Sequence, residues 1–250
     1  RRYAHLATGN YNPKTARLYS DLSLFTSNYE IVNDATQFFN LVTGYSTLQN
    51  MKQLGMAPVT LKTRLLAMIQ REIDRSDPEH PGLIMAKMNS LTHQEVIEAL
   101  YKASQAGVKV MLNIRGICML VPGVKDLSEN IKVVSIVDRY LEHSRIFYFQ
   151  NSGSPELYLS SADWMSRNLD RRIELMFPVL DRNAFKEVQG ILSTYFEDNT
   201  NAQYLSENGI WQPVERKKDE KEMRAQGILY KKYRRRAESS AKTPKIDFEV

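Results

Sequence analysis

The sequence predicts an α/β fold, a mixed sheet flanked by helices, built from two related modules of which the first is truncated. Three observations predict it. A strand, a helix and a second strand succeed one another between residues 83 and 114; short apolar, β-rich runs follow and are closed by a helix; and the side-chain types of residues 7–22 reappear at residues 160–175. A strand-helix-strand unit of about thirty residues reads as a right-handed parallel crossover, and a helix that closes such a series completes an α/β sandwich.

Each element has a local reason. An extended start at Arg1-Arg2-Tyr3 leads into the turn-rich Ala7-Thr8-Gly9-Asn10-Tyr11-Asn12-Pro13, then a mixed apolar stretch ending near Phe38 to Val42. Small and polar residues between Gly44 and Pro58 mark a break, which is the preferred domain boundary. Leu61, Leu65, Met68, Ile69 and Ile73 recur with helical spacing, and Asp77-Pro78-Glu79-His80-Pro81-Gly82 ends that helix. Leu83 to Met88 is a short apolar strand. Thr92 is placed to cap a helix running to about Ala106, where Gly107 is a suitable stop, and Val108 to Ile114 is the second strand. Ile131 to Val137, Arg145 to Phe149, Leu157 to Ser160 and Ile173 to Leu180 are further strands, before a helix from Asn183 to Phe196. This divides the chain into the end of a first domain (1–53), a second domain finishing in a basic helix (54–236) and a tail (237–250). A chain that opens in the middle of a strand without Met reads as a piece of a longer protein.

Composition sets outer limits. With 250 residues, 42% hydrophobic and 25% charged, the chain is globular, which excludes a wholly disordered, collagenous or membrane-embedded protein. The one cysteine, Cys118, excludes a disulfide scaffold and fits a reducing compartment. No apolar run approaches the ~20 residues that span a bilayer. The net charge of +5 invites a polyanion partner, but residues 1–214 hold 22 basic and 22 acidic side chains. The excess lies in residues 215–236, ten basic against four acidic, a stretch of helix-forming composition that reads as a solvated surface helix. An anion site in the body must therefore come from local geometry and not from bulk field.

The repeat locates such a site. At an offset of 153, Thr8 falls on Ser161, Asn10 on Asp163, Tyr11 on Trp164, Lys14 on Arg167 and Asp21 on Glu174, each pair keeping its chemical type. Upstream of the second copy, His143 and Arg145 stand at i and i+2, on one side of an extended backbone. Ser161 and Asp163 repeat that spacing, so four polar groups are expected to converge on one anion. Phosphoryl transfer needs a nucleophile or proton carrier together with fixed positive charge. The position equivalent to His143 in the first copy falls about ten residues before Arg1. Arg115 ends an apolar strand before a glycine, the usual place for a ligand in an open α/β sheet. Arg139, Arg167, Arg171 and Arg172 surround the motif, interleaved with Asp138, Glu142, Asp163, Asp170 and Glu174, and each arginine is open to two readings, a grip on phosphate or an internal ion pair. His5, His80 and His93 lack metal-ligand spacing.

The runs Tyr3-Ala4-His5-Leu6-Ala7-Thr8-Gly9-Asn10-Tyr11-Asn12-Pro13-Lys14-Thr15-Ala16-Arg17-Leu18-Tyr19-Ser20-Asp21, Asp138-Arg139-Tyr140-Leu141-Glu142-His143-Ser144-Arg145 and Ser160-Ser161-Ala162-Asp163-Trp164-Met165-Ser166-Arg167-Asn168-Leu169-Asp170-Arg171-Arg172 resemble the class 1 polyphosphate kinases. The resemblance covers residues 1 to about 236 and corresponds to the C-terminal third or so of such an enzyme. It implies a phospholipase-D-like fold in both modules. It also implies reversible transfer of the terminal phosphate of ATP to inorganic polyphosphate, with Mg²⁺, through a phosphohistidine in an upstream H-x-K motif. On that basis His143 matches a second histidine with a proton-transfer or transition-state role and a nucleotide contact, Tyr19 a tyrosine on the nucleotide base, and Arg115 an arginine on the phosphates. Thr8, Asn10, Arg145, Ser161 and Asp163 are further phosphate contacts in this reading, and the Mg²⁺ ligands lie upstream. Ala7 stands where many members have Gly. ATP or ADP and polyphosphate are the expected partners, with the remaining domains of the same protein and a homo-oligomer; nucleic acid is not expected. The implied location is cytoplasmic, with peripheral association at the inner face of the membrane as a variant. The 250 residues alone are expected to be inactive.

Two other readings stay open at the level of sequence. A phospholipase D or nuclease acting on a phosphodiester would carry H-x-K followed by G-S-x-N, whereas Arg145 replaces Lys and Asp163 replaces Asn here. A polyanion-binding module would rely on the basic stretch and not on His143.

Overall fold

The computed structural model describes residues 1–45, 47 and 51–241. Strands β1 (Ala4–Ala7), β2 (Tyr19–Ser20) and β3 (Ser23–Thr26) precede helix α1 (Tyr29–Val42). Strand β4 (Gly55–Ala57), helix α2 (Leu61–Arg75), β5 (Leu83–Met88), α3 (Gln94–Gln105), β6 (Lys109–Ile114) and β7 (Ile131–Ile136) follow. The chain continues through β8 (Leu141–Glu142), β9 (Arg145–Phe149), β10 (Glu156–Ser160), the short α4 (Ser166–Asp170), β11 (Glu174–Pro178) and α5 (Arg182–Phe196). It ends in β12 (Ala202–Leu205), β13 (Trp211–Pro213) and α6 (Ala225–Ala241).

Nine strands form one mixed sheet in the order β13-β12-β7-β6-β5-β9-β10-β11-β4. Strands β5, β6 and β7 are parallel and the remaining pairs antiparallel, so the crossover through α3 is the parallel unit expected. Helices α2 and α3 pack on one face through Leu61, Leu65, Ile69, Val96 and Leu100. On the other face α1 and α5 contribute Ile31, Val32, Ala35, Val188 and Ile191. Because both faces are covered, β9 is buried at all five positions, Ile146 and Tyr148 in one core and Phe147 and Phe149 in the other. That explains why this strand reads as a continuous apolar run and not as an alternating one.

The duplication is deeper than five side-chain types. In β1–β3, Leu6 faces Leu24 and Ala7 faces Ser23; in β10–β11, Leu159 faces Phe177 and Ser160 faces Met176, the same register displaced by 153. Thr8 donates to Asp21 and accepts from the Leu22 N–H, while Ser161 donates to Glu174 and accepts from the Leu175 N–H. Asn28 caps α1 by accepting from Glu30 and Ile31, and Asp181 caps α5 by accepting from Asn183 and Ala184. Residues 4–42 and 157–195 are thus one fold written twice, although the sequence retains its likeness only around the hydroxyl-acid turn.

Several boundaries differ from the sequence reading. Thr92 does not cap α3; His93 occupies that position and makes no side-chain cap. Part of the expected 44–58 break, residues 46 and 48–50, lies outside the described residues, as does the tail from 242. At its end the break contains β4, which pairs with β11, and the buried Met51 and Leu54, because two-sided burial compensates for a segment too short to show periodicity. Residues 215–224 are not helical; α6 starts at Ala225, whose N–H is accepted by Asp198.

Candidate active site

Two-residue strands bring the two modules together. Strands β2 and β8 pair in parallel, Tyr19 with Leu141 and Ser20 with Glu142, and the His143 N–H extends the ladder to the Ser20 carbonyl at 3.1 Å. This sets Asp21 of the first module beside His143 of the second. His143 Nδ1 lies 2.9 and 3.0 Å from the two Asp21 carboxylate oxygens, and the Tyr19 ring packs on the imidazole with centroids 4.6 Å apart. With a carboxylate as its partner Nδ1 carries a proton, and Arg145 Nη1 stands against the ring, 3.0 Å from Nδ1 and 2.9 Å from Nε2.

Asp21 is held in turn. Thr8 Oγ1 donates to it at 2.8 Å, and Gly9 lies so close that a Cβ there would fall 2.2 Å from an Asp21 carboxylate oxygen. Only glycine leaves that space. Burial alone would raise the Asp21 carboxyl, but hydrogen bonds from His143 and Thr8, with the charges of His143 and Arg145, outweigh it and hold the group below its ordinary value.

Arg145 is committed inward. Its Nε and Nη2 each donate to Asp163 at 3.1 Å, and Nη1 donates to the His143 and Thr8 carbonyls at 2.7 and 3.3 Å. Both partners of the Arg145–Asp163 pair are buried. Asp163 also accepts the Asn89 N–H at 2.8 Å, and the Asn89 side-chain oxygen accepts from Arg115 Nη2 at 2.6 Å. Arg115 itself makes no ion pair among the described residues.

The structure therefore joins His143, Tyr19, Thr8, Arg145 and Asp163 in one cluster and ties Arg115 to it through Asn89. It does not bring four groups onto one anion. Asp163 neutralises Arg145, and Ser161, the counterpart of Thr8, binds Glu174 at 2.5 Å in its own module. Ser161 and Glu174 line, with the exposed Asn10, a separate open groove of about 1190 Å³. Of the two readings of the surrounding arginines, internal pairing is not seen. Asp138 takes Arg224, Glu142 takes Lys87 and Asp170 takes Lys62 and His93, while Arg139, Arg167, Arg171 and Arg172 are exposed and form no ion pair among the described residues. Asn89 and Lys87 escaped the sequence reading. The available signal was a lysine inside an apolar strand, which is buried only when paired.

Residues 54–226 match the family described as "Polyphosphate kinase C-terminal domain 2", and residues 1–48 match "Polyphosphate kinase C-terminal domain 1". The chain belongs to the polyphosphate kinase family. It is 50% identical over 249 residues to a polyphosphate kinase of Rhodopirellula baltica, covering 100% of this chain and 29% of that protein. A polyphosphate kinase of Synechocystis sp. is 52% identical over 211 residues, 84% of this chain and 29% of that protein. The solved polyphosphate kinase of Porphyromonas gingivalis superimposes with a TM-score of 0.89 at 40% identity, covering 95% of this chain and 36% of that one. The chain thus spans about a third of the length of the polyphosphate kinases it matches, and the mixed sheet with two related modules is the fold expected of their C-terminal part. No helix among the described residues is long and apolar enough to cross a membrane.

Proposed function

We propose that the chain forms the C-terminal part of an enzyme that transfers the terminal phosphate of ATP to inorganic polyphosphate, reversibly, through a phosphohistidine carried by an upstream segment. The observation that carries this reading is the His143–Asp21 contact, which assembles a proton-carrying imidazole from two modules, with Arg115, which has no ion pair among the described residues, in the same hydrogen-bonded cluster.

In this mechanism Asp21 fixes the imidazole with its proton on Nδ1, so Nε2 takes or returns a proton as charge develops on the transferring phosphoryl group. Arg115 holds phosphate oxygens, and its anchoring by Asn89 leaves one edge of the guanidinium to do so. Tyr19 stacks on the adenine. Arg145 acts as a positioning residue, because Asp163 and two carbonyls occupy its donors. In this reading Mg²⁺ is held by residues upstream of this chain; among the described residues no group of three His, Cys, Asp or Glu could hold a metal ion. The partners in this reading are ATP or ADP, polyphosphate, the rest of the longer polypeptide and further copies of it. A cytoplasmic setting agrees with the single free thiol of Cys118.

The basic helix gives less support to a simple polyanion-binding role, since Lys232 and Arg236 pair with Glu187 and Arg234 pairs with Glu238. The test is turnover by the full-length protein. Synthesis of polyphosphate from ATP, and of ATP from ADP and polyphosphate, supports the reading; hydrolysis of a phosphodiester reporter with no ATP or polyphosphate turnover overturns it. The 250 residues alone are expected to show neither kinase activity.

A further inference from the structure

His143 is presented by a ribbon with little of its own to hold it. Strands β2 and β8 have two residues each, and an isolated two-stranded ribbon is at best marginally stable. Against the ribbon lies an open pocket of about 600 Å³ lined by Ser20, Asp21, Tyr140, Glu142, Tyr195 and Leu229. Close packing does not fix the ribbon on that side, so its place depends on discrete hydrogen bonds.

Those bonds converge on Glu142, the residue before His143, which is 4% exposed. One carboxylate oxygen accepts from Tyr195 Oη at 2.6 Å and Ser20 Oγ at 3.3 Å, with Lys87 Nζ at 3.3 Å. The other accepts from Gln226 Nε2 at 2.7 Å. Lys87 also reaches the residue after His143, donating to the Ser144 hydroxyl at 3.0 Å and carbonyl at 3.2 Å. Gln226 does more than complete Glu142. Its amide accepts the Tyr140 N–H at 2.9 Å and donates to the Tyr140 carbonyl at 2.8 Å, serving the chain entering β8 as a neighbouring strand would.

Gln226 lies in the first turn of α6. Asp198 accepts the Ala225 N–H at 2.7 Å and fixes that turn independently of β8, while Arg224 adds two hydrogen bonds, at 2.5 and 2.9 Å, to Asp138 in the chain entering β8. The start of the C-terminal helix is therefore anchored and grips the residues leading into His143 from a distance of more than eighty positions in sequence.

We propose that Gln226 is a positioning residue for His143, and that the first turn of α6 is part of the active-site scaffold. The consequence for turnover rests on the kinase reading above; the consequence for β8 does not. In the full-length enzyme, Gln226→Ala removes the three bonds, and Gln226→Met removes them while filling the same volume. Both are expected to lower kcat for polyphosphate synthesis by roughly ten- to a hundredfold with KM for ATP little changed, since a displacement of about 1 Å is enough for the larger loss. Both are expected to speed amide exchange over residues 138–144, measured by mass spectrometry. In a His143→Ala background, Gln226→Ala should cost no further activity.

Unchanged turnover, full activity in Gln226→Met, or the same loss with and without His143 would each overturn the proposal. If the wild-type protein turns over neither ATP nor polyphosphate, the kinase reading fails and exchange alone decides. Faster exchange at 138–144 then supports the positioning role, and unchanged exchange overturns it.

Discussion

Removing the Asp163 carboxylate should expose how strongly the buried Arg145 depends on it. Asp163→Ala deletes both guanidinium contacts at 3.1 Å and strands the Asn89 N–H. The side chains of Arg145 and Asp163 are only 7% and 4% exposed, so water cannot replace the lost partner without opening the cluster. Breaking a buried pair from one side costs about 3–5 kcal/mol, because a charge is left uncompensated. Arg145→Met should cost a similar amount, because it leaves the buried carboxylate without its partner. The double variant leaves no unpaired charge, and what remains is the loss of donors to the Thr8 and His143 carbonyls and the stranded Asn89 N–H, about 2–4 kcal/mol. The two losses are thus expected to fall short of additivity by at least about 2 kcal/mol. Urea unfolding followed by tryptophan fluorescence reads the loss, because Trp164, adjacent to Asp163, is fully buried in the native state. Losses that add within about 0.5 kcal/mol would refute the claim that the two side chains form one unit.

Three further outcomes are expected. Gly9→Ala should displace Asp21 from His143, lowering stability by about 1–3 kcal/mol through overpacking and lowering turnover more than any effect on ATP KM; normal kcat in a folded variant would contradict it. Because the Asp21 carboxyl is held below its ordinary value, its contribution is complete above the unfolded carboxylate range and is lost as pH falls through the depressed value, so Asp21→Asn should flatten the acid limb of stability against pH; an unchanged limb would count against the tie. Burial pushes the Cys118 thiol up to about 11, so at pH 8 roughly a thousandth is thiolate and alkylation of the native protein should be far slower than of the urea-unfolded protein; equal rates would contradict the burial.

What the sequence revealed divides along physical lines. The strands around β5, β6, β7, β9, β10 and β11 are apolar enough to recognise because the sheet is covered on both faces, and α2 and α5 show their buried stripes. The two-residue β2 and β8 have no room for a pattern, yet their pairing across 122 positions places Asp21 against His143. The repeat was legible where a hydroxyl and an acid must meet, at Thr8–Asp21 and Ser161–Glu174. It faded where the two copies meet different surroundings, as at Phe39, which is 63% exposed, and Leu192, which is fully buried. Asn89, Glu142 and Gln226 are ordinary polar residues whose meaning lies in partners 74 to 86 positions away, and no local spacing announces them.

The central claim is that His143, fixed by Asp21, takes part in phosphoryl transfer between ATP and polyphosphate. Incorporation of the ATP γ-phosphate into acid-insoluble polyphosphate by the full-length protein, wild type against His143→Ala, tests it most directly. Loss of a general acid–base group should lower kcat by about 10²–10⁴-fold. Wild-type rates of incorporation in a folded His143→Ala protein would contradict the account.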